Sequence, residues 1–241
     1  MSYTADFELG TVGNTIAAAD PGSLSAWQFV FIGGGNALTY DNAFAVGGTK
    51  SAHFANSGGS STNQLCWWNS VGSYTDYYGR FYLKQSTFPM GTALLLSHVT
   101  GDVNGAFCWT LYFTTESGFI QVRDSANTVI YTFTNGVNPS GWCRIEYHAV
   151  HSTGDLEVKL FNTASSTTPT ETSSIASGQS LQANAVSNRH CFQQLNAAAY
   201  MDDIVAFATS YPGPIATAPA TNDTMIPLAR LGTGGSVYKG H

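Results

Sequence analysis

Two adjacent carboxylates lie inside an apolar, strand-like run near the end of the sequence. Residues 200–208 read Y-M-D-D-I-V-A-F-A and place Asp202 and Asp203 between large apolar side chains. A buried carboxylate without a partner is neutralised by a raised pKa, so both groups need backbone donors, a basic side chain or a cation. Because successive strand residues alternate between faces, we expect these two side chains to point to opposite faces of a sheet.

A second acidic run lies near the N-terminus. Residues 6–11 read D-F-E-L-G-T and place Glu8 between Phe7 and Leu9. The two ends of a folded domain are often close together. We therefore expect residues 6–11 and 200–208 to lie side by side and to close one domain.

Polar residues alternate with apolar ones in the middle of the chain. In residues 79–84, 107–114 and 119–124 this period of two is typical of strands with one buried face. Sugars stack their C–H faces on aromatic rings, while planar amide and guanidinium groups hydrogen-bond their hydroxyls. The polar positions therefore predict a glycan platform, and the alternative is a solvated outer face. The predicted platform residues are Arg80, Tyr82, Tyr112, Gln121 and Arg123.

Two tryptophans are adjacent in the sequence, at Trp67 and Trp68. In a strand, one of two such side chains faces the core and the other faces outward. We predict that Trp68 presents an exposed ring to a sugar or to a protein partner.

No catalytic constellation is recognisable. Glycoside hydrolysis requires two carboxylates on either side of the scissile bond, and the closest acidic pairs are Asp155 with Glu157 and Asp202 with Asp203. The sequence also lacks G-x-S-x-G, H-E-x-x-H and a phosphate-binding glycine loop. We therefore predict a protein that is not an enzyme.

Short strands joined by polar turns must position these residues. They recur about every dozen residues with no amphipathic helix between them, which predicts an all-β, two-sheet antiparallel β-sandwich over residues 1–210. Residues 162–180 are predicted to be a long surface loop. The predicted strands are residues 4–9, 26–32, 48–54, 65–69, 79–84, 92–99, 107–114, 119–124, 128–133, 142–150, 156–161, 190–195 and 200–208.

The segment after the last strand has a different composition. Residues 211–224 are rich in Pro, Gly and Thr, as in an extended linker, and the following residues are apolar and basic. We predict that residues 211–241 form an extended C-terminal arm that docks on a neighbouring subunit, so that the protein forms a homo-oligomer.

Composition excludes several classes of function. The net charge is −6 and no basic run is interleaved with aromatic residues, which argues against nucleic-acid binding. No apolar run approaches the roughly 18 residues of a membrane span.

The cysteines carry no metal-binding pattern. Cys66, Cys108, Cys143 and Cys191 are widely spaced without C-x-x-C, which argues against a zinc site. The first residues show no secretion signal, so we expect synthesis in a cytoplasm and four reduced thiols. Export by another route would leave three possible disulfide pairings.

Several runs together resemble a known superfamily. F-E-L-G-T-V-G, G-T-K-S-A-H-F, Y-Y-G-R-F-Y-L-K, G-W-C-R-I-E-Y-H, L-E-V-K-L-F and Y-M-D-D-I-V-A-F, followed by Y-P-G-P, are similar to the concanavalin A-like lectin/glucanase superfamily. Within it they resemble the laminin-G-like jelly rolls of actinobacterial secreted proteins and of virion proteins of their phages. The resemblance covers about residues 4–214 and implies a jelly roll. The E-x-D-x-x-E strand of the glucanases is missing.

The resemblance also implies a cofactor. The early F-E glutamate and the late D-D aspartates resemble ligands of a structural calcium, which would be Glu8, Asp202 and Asp203 here. The alternative is that these carboxylates accept hydrogen bonds from backbone amides or a basic side chain.

The function implied by the resemblance is non-covalent binding. We expect a phage virion structural protein, a head decoration or tail protein made in the host cytoplasm, whose lectin-like domain binds host surface glycans. Its arm would contact other virion subunits. The alternatives are a secreted, extracellular carbohydrate-binding module and a glycoside hydrolase with an unrecognised site.

Overall fold

Alternating apolar and polar residues fold into strands along the described chain. The computed structural model describes residues 2–20, 25–55, 62–68, 74–85, 93–100, 106–114, 118–175, 177–181, 187–195 and 198–215. None of these residues forms a helix long and apolar enough to cross a membrane. The strands are β1 Tyr3–Ala5, β2 Phe29–Ile32, β3 Ala37–Asp41, β4 Ser51–Ala55, β5 Thr62–Trp68, β6 Asp76–Lys84, β7 Ala93–Thr100, β8 Phe107–Phe113, β9 Ile120–Arg123, β10 Val129–Thr132, β11 Cys143–Val150, β12 Asp155–Phe161, β13 Glu171–Thr172, β14 Ser187–Leu195 and β15 Ala199–Ala208.

The strands form two antiparallel sheets. Sheet A has the order β13-β12-β11-β6-β15-β4-β3, with β1 also paired to β15, and sheet B has the order β10-β9-β8-β7-β14-β5-β2. The two ends of the folded region meet as expected, because Ala5 pairs with Ile204 and Tyr3 with Ala206. The predicted all-β sandwich is confirmed.

The core lies between the inner faces of the two sheets. In sheet B, directly paired residues form two inward rows across the strands, because paired residues share a face. One row is Trp67, His190, His98 and Trp109, and the next is Leu65, Phe192, Leu96, Leu111 and Val122. Stacking of Trp27 on Trp67, with ring centroids 4.1 Å apart, fills one end of the core.

Hydrogen-bonded tyrosine and histidine side chains lie inside this core. Tyr77 Oη is hydrogen-bonded to His98 Nδ1 at 2.9 Å and to His151 Nε2 at 3.2 Å. Tyr147 Oη is bonded to His190 Nε2 at 2.8 Å. Burial lowers the pKa of His98 and His190 well below the ordinary histidine value, and it also lowers that of His151. The three histidines are therefore neutral in the folded protein at neutral pH.

Two strands were not predicted from the sequence. β3 places only Leu38 and Tyr40 toward the core, too few alternating positions to stand out beside the glycines that precede it. β13, which lies inside the predicted loop of residues 162–180, consists of two residues that pair with Lys159 and Leu160 of β12. Its strand conformation is set by that neighbour and not by its own sequence.

The prediction of four reduced thiols is wrong for one pair of cysteines. Cys66 of β5 and Cys191 of β14 lie directly opposite each other, with Cα atoms 4.2 Å apart, and form a disulfide. Strand register brings them together, and this register is not visible in their spacing along the chain. Cys108 and Cys143 are free and buried, and burial raises the pKa of each thiol to about 12.

Residues 211–215, here called the strap, cross the outer face of sheet A. Tyr211 Oη donates a hydrogen bond to Glu157, and the Lys159 Nζ lies 3.7 Å from the centroid of the Tyr211 ring. The first five residues of the predicted arm thus pack on the domain itself. Residues 216–241 lie outside the described residues, so docking of that part on another subunit stays a prediction.

Candidate functional site

The outward face of sheet B carries a continuous set of polar side chains. Cys191, Ser97, Thr110 and Arg123 are paired in turn across β14, β7, β8 and β9, on the side away from the core rows. A second outward row contains the pair Gln64 and Gln193 and the pair Tyr112 and Gln121. The sheet B polar face is defined here as Gln64, Ser97, Thr110, Tyr112, Gln121, Arg123 and Gln193.

Arg123 organises the accessible part of this face. Its guanidinium carbon lies 4.4 Å from the centroid of the Tyr112 ring, so the two planar groups form a stacked pair. Its Nη2 donates to Gln121 Oε1 at 2.8 Å, and its Nη1 donates to Asn127 Oδ1 at 3.2 Å. Burial raises the pKa of Tyr112, and Arg123 opposes this, so the phenol is a neutral donor at physiological pH. The result is a flat, half-buried surface with fixed amide, phenol and guanidinium groups.

The centre of the face is buried and incompletely hydrogen-bonded. Gln193 Nε2 makes a long contact of 3.4 Å with Ser97 Oγ. Thr110 is 1% exposed, and its buried hydroxyl has no hydrogen-bond partner among the described residues. The buried Nε of Arg123 likewise has none there. An unsatisfied buried polar atom costs about 1–3 kcal/mol, which marks these two atoms as candidates for ligand contact.

Acidic residues are absent from the strands of sheet B. Among the strands of the described chain, every Asp and Glu lies in sheet A, whereas the charged residues of sheet B are Arg123 and Arg189. The strand carboxylates of sheet A are Asp41, Asp76, Glu146, Asp155, Glu157, Glu171, Asp202 and Asp203. Sheet A strands also carry Arg80, Lys84, Arg144 and Lys159, so the formal charge of the described strand residues is −4 in sheet A and +2 in sheet B.

The predicted glycan platform is split between these faces. Tyr112, Gln121 and Arg123 lie together on sheet B, but Arg80 and Tyr82 belong to β6 of sheet A and are covered by the strap. Arg80 Nη1 donates to Gly213 O at 2.8 Å, and Ile215 N donates to Tyr82 Oη at 3.0 Å. The prediction of one platform is therefore wrong for Arg80 and Tyr82. The alternation shows that these side chains point outward from their strands, but it does not show that β6 belongs to sheet A whereas β8 and β9 belong to sheet B.

The remaining residues of the sheet B polar face were not predicted. Thr110 was recoverable, because it alternates with Trp109 and Leu111 in a segment whose strand character is clear. Ser97 joins the face through the register of β7 with β8, and Gln193 joins it through the register of β14 between β5 and β7. The predicted site residue Trp68 lies in β5, but its side chain falls outside the described part of the structure.

The acidic pair of β15 is arranged differently from the prediction. Asp203 has φ of 43°, and the register with β6 shifts between Asp202 and Val205, so a bulge interrupts the alternation. Asp202 Oδ2 accepts a hydrogen bond from Val46 N at 2.8 Å, and the Asp203 carboxylate accepts one from Gly47 N. Both side chains therefore reach the same loop, and the expectation of opposite faces is wrong.

Glu8 binds the same loop. Its Oε1 accepts from Thr49 N and Lys50 N, each at 2.8 Å, and its Oε2 accepts from Thr49 Oγ1. A Cβ added at Gly48 would lie 2.1 Å from Glu8 Oε1, so this approach requires glycine. The loop of residues 46–50 thus supplies backbone donors to all three predicted calcium ligands.

Burial and mutual repulsion perturb this acidic cluster. The pKa of Asp202 is raised to about 8, mainly by burial and in smaller part by the nearby carboxylates of Asp203 and Glu8, whereas the hydrogen bond from the Val46 amide acts in the opposite direction. The ligand chemistry suits calcium, which prefers carboxylate oxygens. In this arrangement, however, the oxygens bind amides, and no group of three acidic, His or Cys side chains among the described residues is placed to hold a metal. Calcium binding stays a prediction.

A second candidate site is a cleft of about 440 Å³ on the sheet A side. Loops around residues 45, 138–142 and 162–165 surround it together with the strap, and its ring-bearing residues are Tyr82 and Trp142. Asn138 and Asn162 line the cleft but are also used internally, since Asn138 N donates to Asn162 Oδ1 at 3.1 Å. The sequence places Trp142 at the start of the predicted strand 142–150, and nothing in the neighbouring residues distinguishes it as a cleft residue.

Several solved structures are similar to this chain. An endo-β-1,4-glucuronan lyase from the fungus Trichoderma reesei has a TM-score of 0.58 at 9% identity, with 86% of this chain and 95% of that chain covered. Cellulose-induced protein Cip1 has a TM-score of 0.53 at 12% identity, with 84% and 96% covered. Lectin II from Ulex europaeus has a TM-score of 0.50 at 12% identity, with 86% and 97% covered.

These similarities are confined to three-dimensional structure. No protein-family model matches the sequence, and no curated protein matches it. At 9 to 12% identity the similar structures establish a shared fold.

Proposed function

We propose that this protein, whose fold is that of the concanavalin A-like lectins and glucanases, binds carbohydrate non-covalently on the sheet B polar face. The stacked pair of Arg123 and Tyr112 carries the proposal. A flat cationic and aromatic surface accepts the C–H face of a sugar ring. Beside it, Gln121 and the Thr110 hydroxyl, which has no hydrogen-bond partner in the part of the chain that the structure describes, offer hydrogen bonds to sugar hydroxyls.

The similar structures support the proposal at the level of fold. One of them is named as a lectin and another as a glucuronan lyase, so this scaffold hosts proteins with carbohydrate ligands. Fold alone does not determine function, so the proposal rests on the residues of the sheet B polar face. It has the mixture of one aromatic ring and a few fixed polar groups that is typical of a binding site.

We propose further that binding is not followed by hydrolysis. Both common mechanisms of glycoside hydrolysis use two carboxylates that flank the bond. The strands of sheet B in the described chain supply none. Release of reducing sugar, or of an unsaturated lyase product, from any polysaccharide would refute this part of the proposal.

The proposed site is tested by Tyr112→Ala. We expect at least tenfold weaker binding of any glycan that the wild-type protein retains, since loss of the ring removes both stacking area and the support of Arg123. Binding is measured by titration calorimetry after a glycan array has identified a ligand. Trp142→Ala is the matched control, because it removes an aromatic ring from the cleft on the sheet A side. If Trp142→Ala abolishes binding and Tyr112→Ala does not, the site is the cleft.

The biological setting that we propose is a virion. The sequence resemblance to laminin-G-like jelly rolls of phage particles supports a head decoration or tail protein that presents the sheet B polar face to host glycans. Residues 216–241 would then contact other virion subunits, in a homo-oligomer. Electron microscopy of the native particle tests this proposal, and a particle that lacks density for the domain would contradict it. The alternative setting is a secreted carbohydrate-binding module.

We also propose that calcium binds the acidic cluster. The proposal rests on three carboxylates that share one loop, two of which have raised pKa values. We expect a chelator to lower the melting temperature of the wild-type protein by a few degrees, and Glu8→Gln to remove that response. The wild-type protein treated with magnesium in place of calcium is the control. Identical melting curves with and without chelator would exclude a stabilising calcium.

A further inference from the structure

The charge distribution suggests which kind of carbohydrate suits the sheet B polar face. The protein has a net charge of −6, yet the outward-facing Arg123 lies on a sheet whose strands contain no acidic residue. Arg123 also has no carboxylate within ion-pair distance among the described residues. Its known partners are the neutral amide oxygens of Gln121 and Asn127 and the ring of Tyr112.

A half-buried guanidinium with only neutral partners is poorly compensated. Removal of a cation from water is costly unless an anion or several hydrogen bonds replace the lost hydration. Here the terminal nitrogens have acceptors, but the buried Nε has none among the described residues. A ligand anion would supply the missing charge and would accept from a guanidinium already held in place by its neighbours.

A second group independently indicates a ligand at the same position. Thr110 is directly opposite Arg123 in the β8–β9 ladder, and paired residues have Cβ atoms roughly 5 Å apart. The Thr110 hydroxyl is buried and has no partner in the described chain, although a hydroxyl both donates and accepts. The Thr110 hydroxyl and the Arg123 Nε therefore share one face and are both unsatisfied among the described residues. Because both atoms are buried, a ligand that accepts from them must displace the groups that cover them.

We propose that the sheet B polar face binds an acidic saccharide, whose carboxylate or sulfate accepts hydrogen bonds from Arg123 and Thr110. The proposal rests on the carbohydrate-binding function proposed above and adds the ligand class. Tyr112 and Gln121 contact the rest of the same sugar unit, the ring through its C–H face and the amide through a hydroxyl. A neutral sugar can use these last two groups but leaves the charge of Arg123 uncompensated.

Calorimetric titrations with three oligosaccharides of equal length test the proposal. The probes are a uronate hexamer from alginate, a sulfated hexamer from carrageenan and neutral cellohexaose. We expect an acidic probe to bind at least tenfold more tightly than the neutral one, with an affinity that falls between 50 and 200 mM salt. The preference between the first two probes identifies carboxylate or sulfate as the anion.

Two variants separate the anion site from general sugar binding. Arg123→Gln keeps hydrogen-bonding capacity without charge, and we expect it to reduce acidic binding about 10- to 100-fold and to weaken cellohexaose binding by a smaller factor, because the contact of Arg123 with the Tyr112 ring is lost as well. Thr110→Val is nearly isosteric and removes an unsatisfied hydroxyl, so we expect an unchanged or raised melting temperature together with several-fold weaker acidic binding. If the Thr110→Val protein melts at an unchanged or higher temperature, its weaker binding of the acidic probes cannot be attributed to misfolding.

Other results would overturn the proposal in distinguishable ways. If cellohexaose binds as tightly as the acidic hexamers, or if Arg123→Gln weakens all three probes equally, the ligand class is wrong while carbohydrate binding stands. If no probe binds and a glycan array also finds no ligand, the carbohydrate-binding function itself fails. If the Thr110→Val protein binds the acidic hexamers as tightly as the wild-type protein does, Thr110 is not part of the binding site.

Discussion

The protein is expected to lose about 3 kcal/mol of its free energy of unfolding between pH 7 and pH 5. The cause is the histidine cluster of the core. His98 and His190 are fully buried, with ring centroids 3.9 Å apart, and His151 is bonded to Tyr77 beside them. Burial lowers the pKa of all three groups. They therefore take up protons near their usual pKa of about 6.5 only after unfolding.

The sign of the effect follows from proton linkage. A histidine with a lowered folded-state pKa stabilises the protein above pH 6.5, and this contribution is lost as the pH falls, at about 1.4 kcal/mol per pH unit and proton. Asp202 acts in the opposite direction, because its folded-state pKa of about 8 lets the folded protein hold a proton that the unfolded chain releases. The pKa values of Asp203 and Glu146 are also raised, by less than that of Asp202, whereas the lowered pKa of His53 adds to the effect of the three core histidines. The net change is a loss of stability toward acid. Stability should be greatest near pH 7.

Urea unfolding monitored by circular dichroism at several pH values measures this slope. His190→Gln should lower the slope by about one proton, even though it also weakens the contact with Tyr147. Tyr147→Phe is the control, since it removes the hydrogen bond to His190 without removing a group that titrates between pH 5 and pH 7; burial raises the pKa of Tyr147 well above its ordinary value. It should leave the slope unchanged. A free energy of unfolding that stays constant from pH 7 to pH 5 would refute the argument.

Removal of residues 211–241 should destabilise the domain by about 3 kcal/mol more than removal of residues 216–241 does. The difference between the two truncations is the strap. Tyr211 binds Glu157 and packs against Lys159, Gly213 O accepts from Arg80, and Ile215 N binds the Tyr82 hydroxyl. All of these contacts are lost in the shorter protein, and the outer face of β6 becomes exposed to water.

The two truncated proteins are compared by urea midpoint and melting temperature. Tyr211→Ala in the full-length chain separates the contribution of the ring from that of the backbone contacts, and we expect it to account for about half of the loss. Equal stability of both truncations would show that the strap is not part of the folding unit. The truncated protein that ends at residue 215 keeps the strap, so it is the suitable protein for testing whether residues 216–241 are needed for assembly.

The sequence predicts local features of this fold better than relations between strands. Alternation in residues 142–150 and 119–124 correctly separates inward from outward side chains, because that pattern depends only on the strand itself. The meeting of the two ends, at Ala5 and Ile204, was also predictable. The first prediction depends on apolar spacing within a few residues, and the second depends on the general tendency of the two ends of a domain to lie close together.

Properties that depend on register were not predictable. The insertion of β14 between β5 and β7 sets the Cys66–Cys191 disulfide and places Cys191 beside Ser97, on the face that carries Thr110 and Arg123. The same limitation divided the predicted glycan platform, since alternation does not reveal which sheet a strand joins. The bulge at Asp203 places a non-glycine residue at positive φ, a cost that the contacts with the 46–50 loop offset and that local sequence preferences do not indicate.

The separation of strand carboxylates from the sheet B polar face affects how the molecule approaches a surface. Packed sheets are about 10 Å apart, close to the screening length of roughly 8 Å in physiological salt. A negatively charged polymer layer therefore repels one broad side of the molecule more strongly than the other and exerts a torque during the encounter. If the sheet B polar face binds an acidic polymer as proposed, this torque favours encounters in which Arg123 and Tyr112 face the polymer.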